Sequence, residues 1–479
     1  MIDMRIVDFG FADAETEFNH KPEMFDKVFI DPKDYLSELL FGLKCMVIGR
    51  KGSGKTAYSA KIRRMAMDKT NKFVAHNCLL SSMEYSVFDE YNNAQFRGGR
   101  KYQTTWEFLL LIELLKLINE SFPENENEEF YNLIEKLEKA DILSSEDIMY
   151  TINSMQNQEF VAKFTFLEGK AGRQQESKNR TLSSVCAYIR NVLKQTSFAG
   201  YRIYLLLDGL DDALRGERFS SEILAGLNRA IIGLNQFFSK LDYLCVKIIL
   251  FVRTDIFDMC CDPDMTKQRL DYAVTLAWSK EELEEIVMQR VQQQYPEQES
   301  FQLFWREHFP LKQNNKSTLG LFFDYTLLRP RDVLQFFRNS KDLFLLKHQA
   351  ERFTHSEFKE IVARYSEDYF IAEMKDELTG FFPDACITVL PQILSIMERS
   401  KFTVKHFTET MSEFRELEYV NADALLKHLF SCGYIGQVKY GGLHDQSMVC
   451  FKHINPRMSF DARYDCLIHR GLRKALNLY

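Results

Sequence analysis

Residues 45–65 read CMVIGRKGSGKTAYSAKIRRM, an apolar run followed by a glycine-rich turn and a helical pattern. Positions 49–56 fit G-x-x-x-x-G-K-[ST] at every fixed residue. The glycines let backbone N–H groups surround an anion, Lys55 can reach the outer phosphates of a nucleotide, and Thr56 can offer its hydroxyl to Mg²⁺. The following helix points its N-terminal dipole at the same anion. The stretch therefore predicts a strand, a nucleotide-binding loop and a helix. The loop residues are Gly49, Arg50, Lys51, Gly52, Ser53, Gly54, Lys55 and Thr56.

A second part of such a site is expected at the end of another apolar run, IYLLLD at 203–208. An uninterrupted apolar run is typical of a parallel strand that is buried on both faces. Phosphoryl transfer at a phosphate loop needs an acid that helps to hold Mg²⁺. We expect Asp208 to do so from a neighbouring strand, together with Thr56 and mostly through the water shell of the ion. The alternative is a plain aspartate that caps a turn.

The residue that activates the attacking water is less clearly marked. Gly209 follows Asp208, so an adjacent second acid is missing, and the next acids in GLDD are Asp211 and Asp212. One of them could polarise water, and the other could cap the helix that begins near Ala213. We prefer Asp211 only narrowly, so both remain candidates.

A third apolar run, CVKIILFV at 245–252, is followed by RTDIFD. A polar residue at the tip of a strand beside the magnesium strand can sense the γ-phosphate, and Arg253 occupies that position. The alternative is a surface arginine that pairs with Asp255 or Asp258.

The segments GRKGSGKT, LLLDGLDD, ILFVRTD and LLRPRDVLQFF occur in this order along nearly the whole chain. The series resembles the STAND and AAA+-like branch of P-loop ATPases. More narrowly, it is similar to a bacterial family of such ATPases that has a C-terminal winged helix and is associated with antiphage defence. DGLDD resembles the D-G-L-D-[DE] element of STAND proteins, where AAA+ enzymes have Asp-Glu. The resemblance implies ATP and Mg²⁺ as cofactors and ATP hydrolysis as the reaction.

The resemblance also implies a second sensor arginine at the start of the helix in TLLRPRDVLQFFRNSKDLF, residues 326–344. Pro330 suits the first turn of a helix, and arginines that flank a helix start can point at phosphates. We choose Arg331, with Arg329 second; the alternative is that both arginines tie the lid to the sheet. Arg269 is a further candidate, for acting in trans on a neighbour's ATP, against the alternative of a solvated side chain.

The succession of elements predicts an α/β fold: a P-loop NTPase with a parallel sheet, a helical insertion, a helical lid and a C-terminal winged-helix domain. Because 152 positions separate Thr56 from Asp208, we place the insertion at about 100–196, either as a partner-binding element or as a buttress for the sheet. Two helices and a hairpin around GGLHDQS predict the winged helix. The expected divisions are 1–40, an N-terminal segment; 41–275, the ATPase domain; 276–375, the lid; and 376–479, the winged-helix domain.

The net charge of −7 argues against a chain that coats nucleic acid through a global positive field, although it leaves room for a local patch. The second helix of the winged-helix domain offers only Lys427 and His428 as basic residues. The C-terminal tail could touch phosphates, and the resemblance implies that His469 could contact the nucleotide instead; ordinary packing is the alternative. The basic residues of the tail are Lys452, Arg457, Arg463, Arg470, Arg473 and Lys474.

The first residues carry acids where a secretory signal needs a basic end, and no apolar run approaches the roughly 18 residues of a spanning helix. The ten cysteines contain no C-x-x-C pair, which argues against a zinc ribbon or a thioredoxin-like site. We therefore expect a reduced, cytoplasmic protein with no membrane partner.

Three functions fit these features. The first is an ATPase that works as a nucleotide-dependent switch or assembly module, as a homo-oligomer or with a separate effector protein; a role in antiphage defence is what the resemblance implies. The second is an initiator- or remodelling-type ATPase that binds DNA through its winged helix. The third is a scaffold that binds ATP and hardly hydrolyses it. The sequence shows no nuclease or protease constellation that would add an activity of another class.

Overall fold

The apolar runs around the phosphate loop form one parallel sheet in the computed structural model of the protein. Its strands are β1 (Met46–Gly49), β2 (Phe73–Leu79), β3 (Arg202–Asp208), β4 (Cys245–Arg253) and β5 (Ala273–Leu276). They lie in the order β2-β3-β4-β1-β5, and every pairing between neighbours is parallel. The interior of β3 is buried throughout, as expected for a strand covered on both faces. The predicted α/β P-loop NTPase fold is thereby confirmed.

The structure describes residues 2–80, 88, 91–93, 95–123, 127–139, 142–143, 178–198, 200–210, 220–260, 262–346, 352–397, 399–439 and 448–478.

Helices account for most of the remaining regular structure, and none of those described combines the length and apolar character needed to cross a bilayer. A π-helical turn, Tyr365–Phe370, joins the helix that ends at Arg364 to the helix that begins at Ile371. The helices are α1 (Ala14–His20), α2 (Pro22–Val28), α3 (Tyr35–Phe41), α4 (Lys55–Met67), α5 (Gln103–Ser121), α6 (Glu128–Lys139), α7 (Lys178–Lys194), α8 (Ser221–Phe238), α9 (Thr254–Asp258), α10 (Met265–Tyr272), α11 (Lys280–Gln292), α12 (Phe301–His308), α13 (Thr318–Tyr325), α14 (Pro330–Leu345), α15 (His355–Arg364), α16 (Ile371–Leu378), α17 (Asp384–Ile396), α18 (Val404–Met411) and α19 (Ala422–Cys432).

Contacts divide the chain into two units, each with its own apolar core. The sheet unit comprises residues 31–49 and 55–276 and contains all five parallel strands. The lid unit comprises residues 1–30, 50–54 and 277–479. The chain therefore leaves the lid unit at residue 31 and returns to it at residue 277, apart from the short loop segment at 50–54.

Helix α5 is buried along most of its length in the core of the sheet unit. Its residues from Trp106 to Ile118 pack with α7, α8 and the sheet. The indole Nε1 of Trp106 donates to the carbonyl of Ile223 at 2.9 Å. Lys116 and Glu113 are buried there as an ion pair, with 2.9 Å between Nζ and Oε1. The helical insertion thus includes a buttress of the sheet, one of the two roles considered for it.

The core of the lid unit is a cluster of aromatic rings, and it uses part of the chain's 40 phenylalanines. Trp305 stacks on Phe309 with ring centroids 4.2 Å apart, and Phe322 lies 4.6 Å from Phe336. Offset and edge-to-face ring contacts of this kind add to the stabilisation from burial. The rings at the centre of the cluster are Phe304, Trp305, Phe309, Phe322, Phe336, Phe337 and Phe358.

The first residues of the chain belong to this core. Ile2, Met4, Val7 and Phe9 are buried with the aromatic cluster, and His308 Nε2 lies 2.8 Å from the carbonyl oxygen of Ile2. Glu17 and Arg290 form a buried bidentate ion pair with both N–O distances at 2.7 Å. The N-terminal segment is therefore an integral part of the lid unit.

The C-terminal part of the lid unit has the predicted winged-helix elements. Helices α17, α18 and α19 occur together with a four-stranded antiparallel sheet, whose first strand lies between α17 and α18 in the chain. Gly433, with φ of 86°, ends α19 in the left-handed conformation that glycine favours. The strands of the lid unit are β6 (Lys312–Gln313), β7 (Lys316–Ser317), β8 (Lys401–Phe402), β9 (Ile435–Lys439), β10 (Met448–Cys450) and β11 (Asp465–Ile468). The order of the four-stranded sheet is β10-β9-β11-β8.

Candidate functional site

The phosphate-binding motif occupies the turn between β1, which ends at Gly49, and α4, which begins at Lys55. Gly52 and Gly54 have φ of 76° and 98°, in the left-handed region where a side chain would be strained. Lys55 is 8% exposed, and its Nζ donates to the carbonyl of Gly49 at 3.3 Å. The strand, loop and helix predicted for this stretch are all present, with the two glycines where the backbone needs them.

Within the sheet unit, Thr56 and Asp208 meet. The hydroxyl of Thr56 donates to Oδ2 of Asp208 at 3.2 Å, while Oδ1 accepts from the N–H of Gly209 at 2.8 Å. Asp208 ends β3 at the carboxyl edge of the sheet, and Thr56 lies in the first turn of α4. A hydroxyl and a carboxylate oxygen at this spacing are the hard oxygen ligands that Mg²⁺ prefers. These two residues fit the magnesium role that the sequence predicted for them.

The sheet order corrects one detail of that prediction. We expected Asp208 on a strand next to the phosphate-loop strand, but β4 lies between β1 and β3. The strands β1 and β3 are thus two positions apart in the sheet. Thr56 nevertheless reaches Asp208, because it projects from the helix that follows the loop and not from β1 itself. The strand beside the magnesium strand is β4, as expected for the strand that carries Arg253.

Arg253 ends β4 opposite Gly49 in the register of the sheet. Its guanidinium holds Asp255 in two hydrogen bonds, from Nε at 3.0 Å and from Nη2 at 2.6 Å. The partner is one that we considered for a surface arginine, but Arg253 is only 5% exposed. Arg253 is therefore buried at the carboxyl end of a strand in the same sheet as Asp208. Its contact with the γ-phosphate stays a prediction. The other acid considered, Asp258, pairs with Arg269 at 2.8 Å, and the trans role of Arg269 also stays a prediction.

The two candidates for the water-activating base, Asp211 and Asp212, lie outside the described residues. Their order of preference is unchanged.

Within the lid unit, the segment 50–54 is held by the residues that flank the start of α14. Nη1 of Arg329 donates to the carbonyl of Lys51 at 3.1 Å, and the N–H of Arg331 lies 3.4 Å from the carbonyl oxygen of Gly52. A Cβ on Gly52 would lie 3.2 Å from Cβ of Arg331, so the absence of a side chain at Gly52 allows this approach. The guanidinium of Arg331 has one long contact, 3.4 Å to Glu373, and its side chain is 25% exposed. Of the two arginines, Arg331 is therefore the one that retains freedom to meet a phosphate.

Arg329 is instead the centre of a buried polar network. It is 1% exposed and donates to both oxygens of Asp332 and, at 2.6 Å, to Oε1 of Glu377. Tyr369 donates to Asp332 at 2.7 Å and Tyr434 to Glu377 at 3.0 Å. Burial lowers the pKa of Arg329, but the charge of Asp332 and the other neighbours raise it well above its usual value, so the guanidinium stays charged. Within the lid unit, Arg329 thus holds the phosphate-loop segment through the carbonyl of Lys51, and its role as the second-choice sensor stays a prediction.

Three further contacts hold the segment 50–54 within the lid unit, and the sequence predicted none of the partners. Arg50 Nη2 donates to the carbonyl of Cys432 at the end of α19, and Lys51 Nζ pairs with Asp376 at 3.1 Å. Trp278 Nε1 donates to the carbonyl of Ser53 at 2.8 Å. The only signal in the sequence was the pair of basic residues at variable positions of the motif. That signal does not specify a partner more than 300 residues away in the chain.

His469, the other residue that the resemblance suggested for nucleotide contact, is 3% exposed. Its Nδ1 accepts from the N–H of Gly471 at 3.1 Å, and its ring stacks on Phe370 with centroids 5.2 Å apart. Burial and the nearby charge of Arg50 lower the pKa of His469 to about 3. The ring is therefore neutral at physiological pH and packed within the winged-helix part of the lid unit.

Comparisons with known proteins find one matching domain family and several proteins with low sequence identity to this chain. Residues 281–372 match the FunZ-associated C-terminal helical domain. The chain is 20% identical over 497 residues to the putative transposon gamma-delta 80.3 kDa protein of Escherichia coli (strain K12), a match that covers 98% of this chain and 67% of that protein.

Several solved structures are distantly similar to the chain. They include Aeropyrum pernix ORC1 in complex with DNA, with 12% identity, a TM-score of 0.37 and coverage of 96% of this chain and 92% of that one. Aeropyrum pernix ORC2 with ADPNP and ADP has 11% identity, a TM-score of 0.42 and coverage of 96% and 97%. Pyrobaculum aerophilum CDC6p has 13% identity, a TM-score of 0.28 and coverage of 92% of each chain. The fold assignment rests on the strand order and the phosphate loop, and not on these distant likenesses.

Proposed function

We propose that the chain binds ATP with Mg²⁺ and hydrolyses it, and that the nucleotide acts as a switch on the lid unit. The observation that carries the ATPase reaction is the 3.2 Å contact between the hydroxyl of Thr56 and the carboxylate of Asp208. It brings the last residue of a complete phosphate-binding motif to the acid at the carboxyl end of a buried strand. This is the arrangement that a phosphate loop and a metal-binding acid need for phosphoryl transfer.

In this proposal the residues have separate tasks. The loop N–H groups and Lys55 would bind the phosphates, while Thr56 and Asp208 would hold the metal ion, whose charge would offset that of the phosphates. Arg253 and Arg331 are proposed to stabilise the charge on the γ-phosphate. Asp211 or Asp212 is proposed to orient the attacking water. Positioning and charge stabilisation are the main contributions that a protein makes to this reaction.

The switch is supported by the way the lid unit holds the loop segment. The carbonyls of Lys51, Gly52 and Ser53 each face a donor from the region 278–331. A nucleotide that shifts this segment changes those contacts, so nucleotide affinity and lid docking are thermodynamically linked. Proposed partners are further copies of the chain or a separate effector protein, and the proposed setting is bacterial antiphage defence. The match of residues 281–372 to a FunZ-associated domain marks that part of the lid unit as a module shared with other proteins.

The reaction is tested by replacing Asp208 with asparagine. The amide keeps the shape of the side chain but removes the charge that helps to hold Mg²⁺, so we expect kcat for ATP hydrolysis to fall by about 10²–10³-fold. ATP binding should persist, since Lys55 and the loop backbone are intact. Phosphate release at saturating ATP and Mg²⁺ measures the effect. Asp271→Asn, an exposed acid of the sheet unit, is the matched control and should leave kcat unchanged. Equal rates for Asp208→Asn and the wild type would refute the assigned role.

DNA binding is a second candidate, because Arg457 and Lys474 of the tail are exposed and have no acidic partner among the described residues. Of the two basic residues of α19, His428 packs against Phe381 with ring centroids 4.4 Å apart. We expect any affinity for duplex DNA to be weak and to fall with salt, and Arg457→Gln with Lys474→Gln should lower the log–log salt slope by roughly 2. Fluorescence anisotropy at low salt measures this. If the full chain does not bind DNA even at low salt, this second function is excluded.

A further inference from the structure

A cavity of about 300 Å³ opens in the lid unit, lined by residues of α13, β11 and the segments that follow β10 and β11. Phe323 and Phe451 contribute aromatic walls, and Val449 and Ile454 are exposed at 48% and 67%. No residue of the phosphate loop lines this cavity. Its size and its mixture of aromatic and polar walls are those of a small-molecule pocket.

The charged groups of the cavity leave an excess of positive charge. Lys280, Arg470 and Arg473 face a single acid, Asp324, which pairs with Arg470 at 2.6 Å. Lys280 lies over the ring of Phe323 at 5.5 Å. Arg473 reaches only the carbonyl of Ile468, at 3.4 Å from both Nε and Nη2. Among the described residues, neither Lys280 nor Arg473 has a carboxylate within ion-pair distance, and the acids that interact electrostatically with Lys280, Glu281 and Glu284, do not line the cavity. The cavity itself therefore keeps an excess of positive charge.

A neutral donor lines the same cavity. His469 is uncharged, because burial and the neighbouring arginines lower its pKa to about 3. Its Nδ1 accepts from the N–H of Gly471, so the single proton of the ring is on Nε2. The structure describes no acceptor for that N–H. A side chain that is 97% buried thus brings an unused donor to a cavity with two unpaired cations.

We propose that this cavity binds a phosphomonoester of the nucleotide class, with Lys280, Arg473 and the Nε2–H of His469 on the phosphate and Phe323 and Phe451 against the base or sugar. A phosphomonoester carries a charge of about −1.5 to −2 at pH 7, which matches two cations without an ion-pair partner in the cavity better than a single carboxylate does. Arginine and lysine donate charge-assisted hydrogen bonds to phosphate oxygens. The aromatic walls can pack against a flat apolar group, such as a base, that is attached to the phosphate. No residue of the phosphate loop lines the cavity, although Arg50 of that loop lies near His469, and the proposal does not depend on the proposed ATPase reaction.

The test measures binding of adenosine 5′-monophosphate by equilibrium dialysis to the full chain carrying Lys55→Ala, which weakens the phosphate loop as a competing site. We expect one site, and we expect Arg473→Gln and Lys280→Gln each to weaken it by about tenfold or more. Lys280 is exposed, so its substitution carries no folding risk. The control is Arg463→Gln, an exposed tail arginine outside the cavity that should not change the affinity.

Further probes identify the ligand chemistry. Adenosine should not bind, inorganic phosphate should bind more weakly than the monophosphate, and a 5′-phosphorylated oligonucleotide tests whether the phosphate belongs to a nucleic acid end. The proposal is overturned if none of the phosphate probes binds at millimolar concentration. It is also overturned if binding is unchanged by both cavity substitutions or is weakened equally by Arg463→Gln. Loss of ATP turnover in Asp208→Asn has no bearing on these outcomes, so the two proposals fail separately.

Discussion

Alanine at position 55 is expected to weaken ATP binding by roughly 100-fold, corresponding to about 3 kcal/mol, and to remove detectable turnover. Lys55 begins α4 behind two glycines in left-handed conformation, and it is only 8% exposed. Its ammonium is the one side-chain cation that the motif directs at the β- and γ-phosphates. Without it, the backbone N–H groups must neutralise the phosphates alone.

The measurement that separates this effect from misfolding is the ATP-induced shift of thermal unfolding. ATP at 100 times its Kd stabilises a binding-competent chain by about 2.7 kcal/mol, and Lys55→Ala should lose most of that shift at the same ATP concentration. Without nucleotide the variant should unfold at the wild-type temperature or above, because a partly desolvated lysine has been removed. Lys69→Ala, at an exposed lysine that follows α4, is the control. An unchanged ATP shift in Lys55→Ala would contradict the assignment of the phosphate loop.

Methionine in place of Arg329 is expected to destabilise the lid unit by about 3–5 kcal/mol. The substitution fills similar volume but leaves the carboxylates of Asp332 and Glu377 buried without their counter-charge. Removal of one partner from a buried ion pair has this magnitude because the remaining charge is desolvated and unpaired. Tyr369 and Tyr434 each donate one hydrogen bond to these carboxylates, but neither can supply a positive charge.

Urea unfolding followed by tryptophan fluorescence measures the loss, since Trp278 and Trp305 both belong to the lid unit. The matched control is Arg331→Met, because Arg331 is partly exposed with one 3.4 Å contact and should cost at most about 1 kcal/mol. The double variant Arg329→Met with Glu377→Gln should recover part of the stability, since it removes one of the stranded charges. Equal midpoints for the Arg329 and Arg331 variants would show that the network does not support the lid.

The parts of the fold and site that could be predicted are those whose signal is local. The strand, glycines and helix around Lys55 are specified by neighbouring residues, and so is the buried strand that ends at Asp208. The end of α19 at Gly433 followed in the same way from glycine's left-handed conformation. The capping box of Ser279 and Glu282, with its reciprocal hydrogen bonds, marks the start of α11 from four residues of sequence.

The remaining features depend on partners that are distant along the chain. Arg329 was the second choice for the sensor arginine, and its partner Glu377 lies 48 positions away on a helix whose pattern gives no sign of this pairing. The position of β4 between β1 and β3 is a property of chain topology, which no single run of residues encodes. The contact of Arg50 with the end of α19 spans 382 positions. Pairings of this kind are fixed by tertiary packing, so sequence patterns alone cannot select them.

The participation of the first residues in the lid core has a consequence for the order of folding. Ile2 contacts His308 across 306 positions, and Glu17 pairs with Arg290 across 273. During synthesis, these N-terminal residues emerge long before the aromatic cluster that buries them. The intervening sheet unit can fold in that time, because its long-range strand pairings lie within residues 31–276. Contacts of such high sequence separation form slowly, so completion of the lid unit is expected to be the late step of folding on the ribosome.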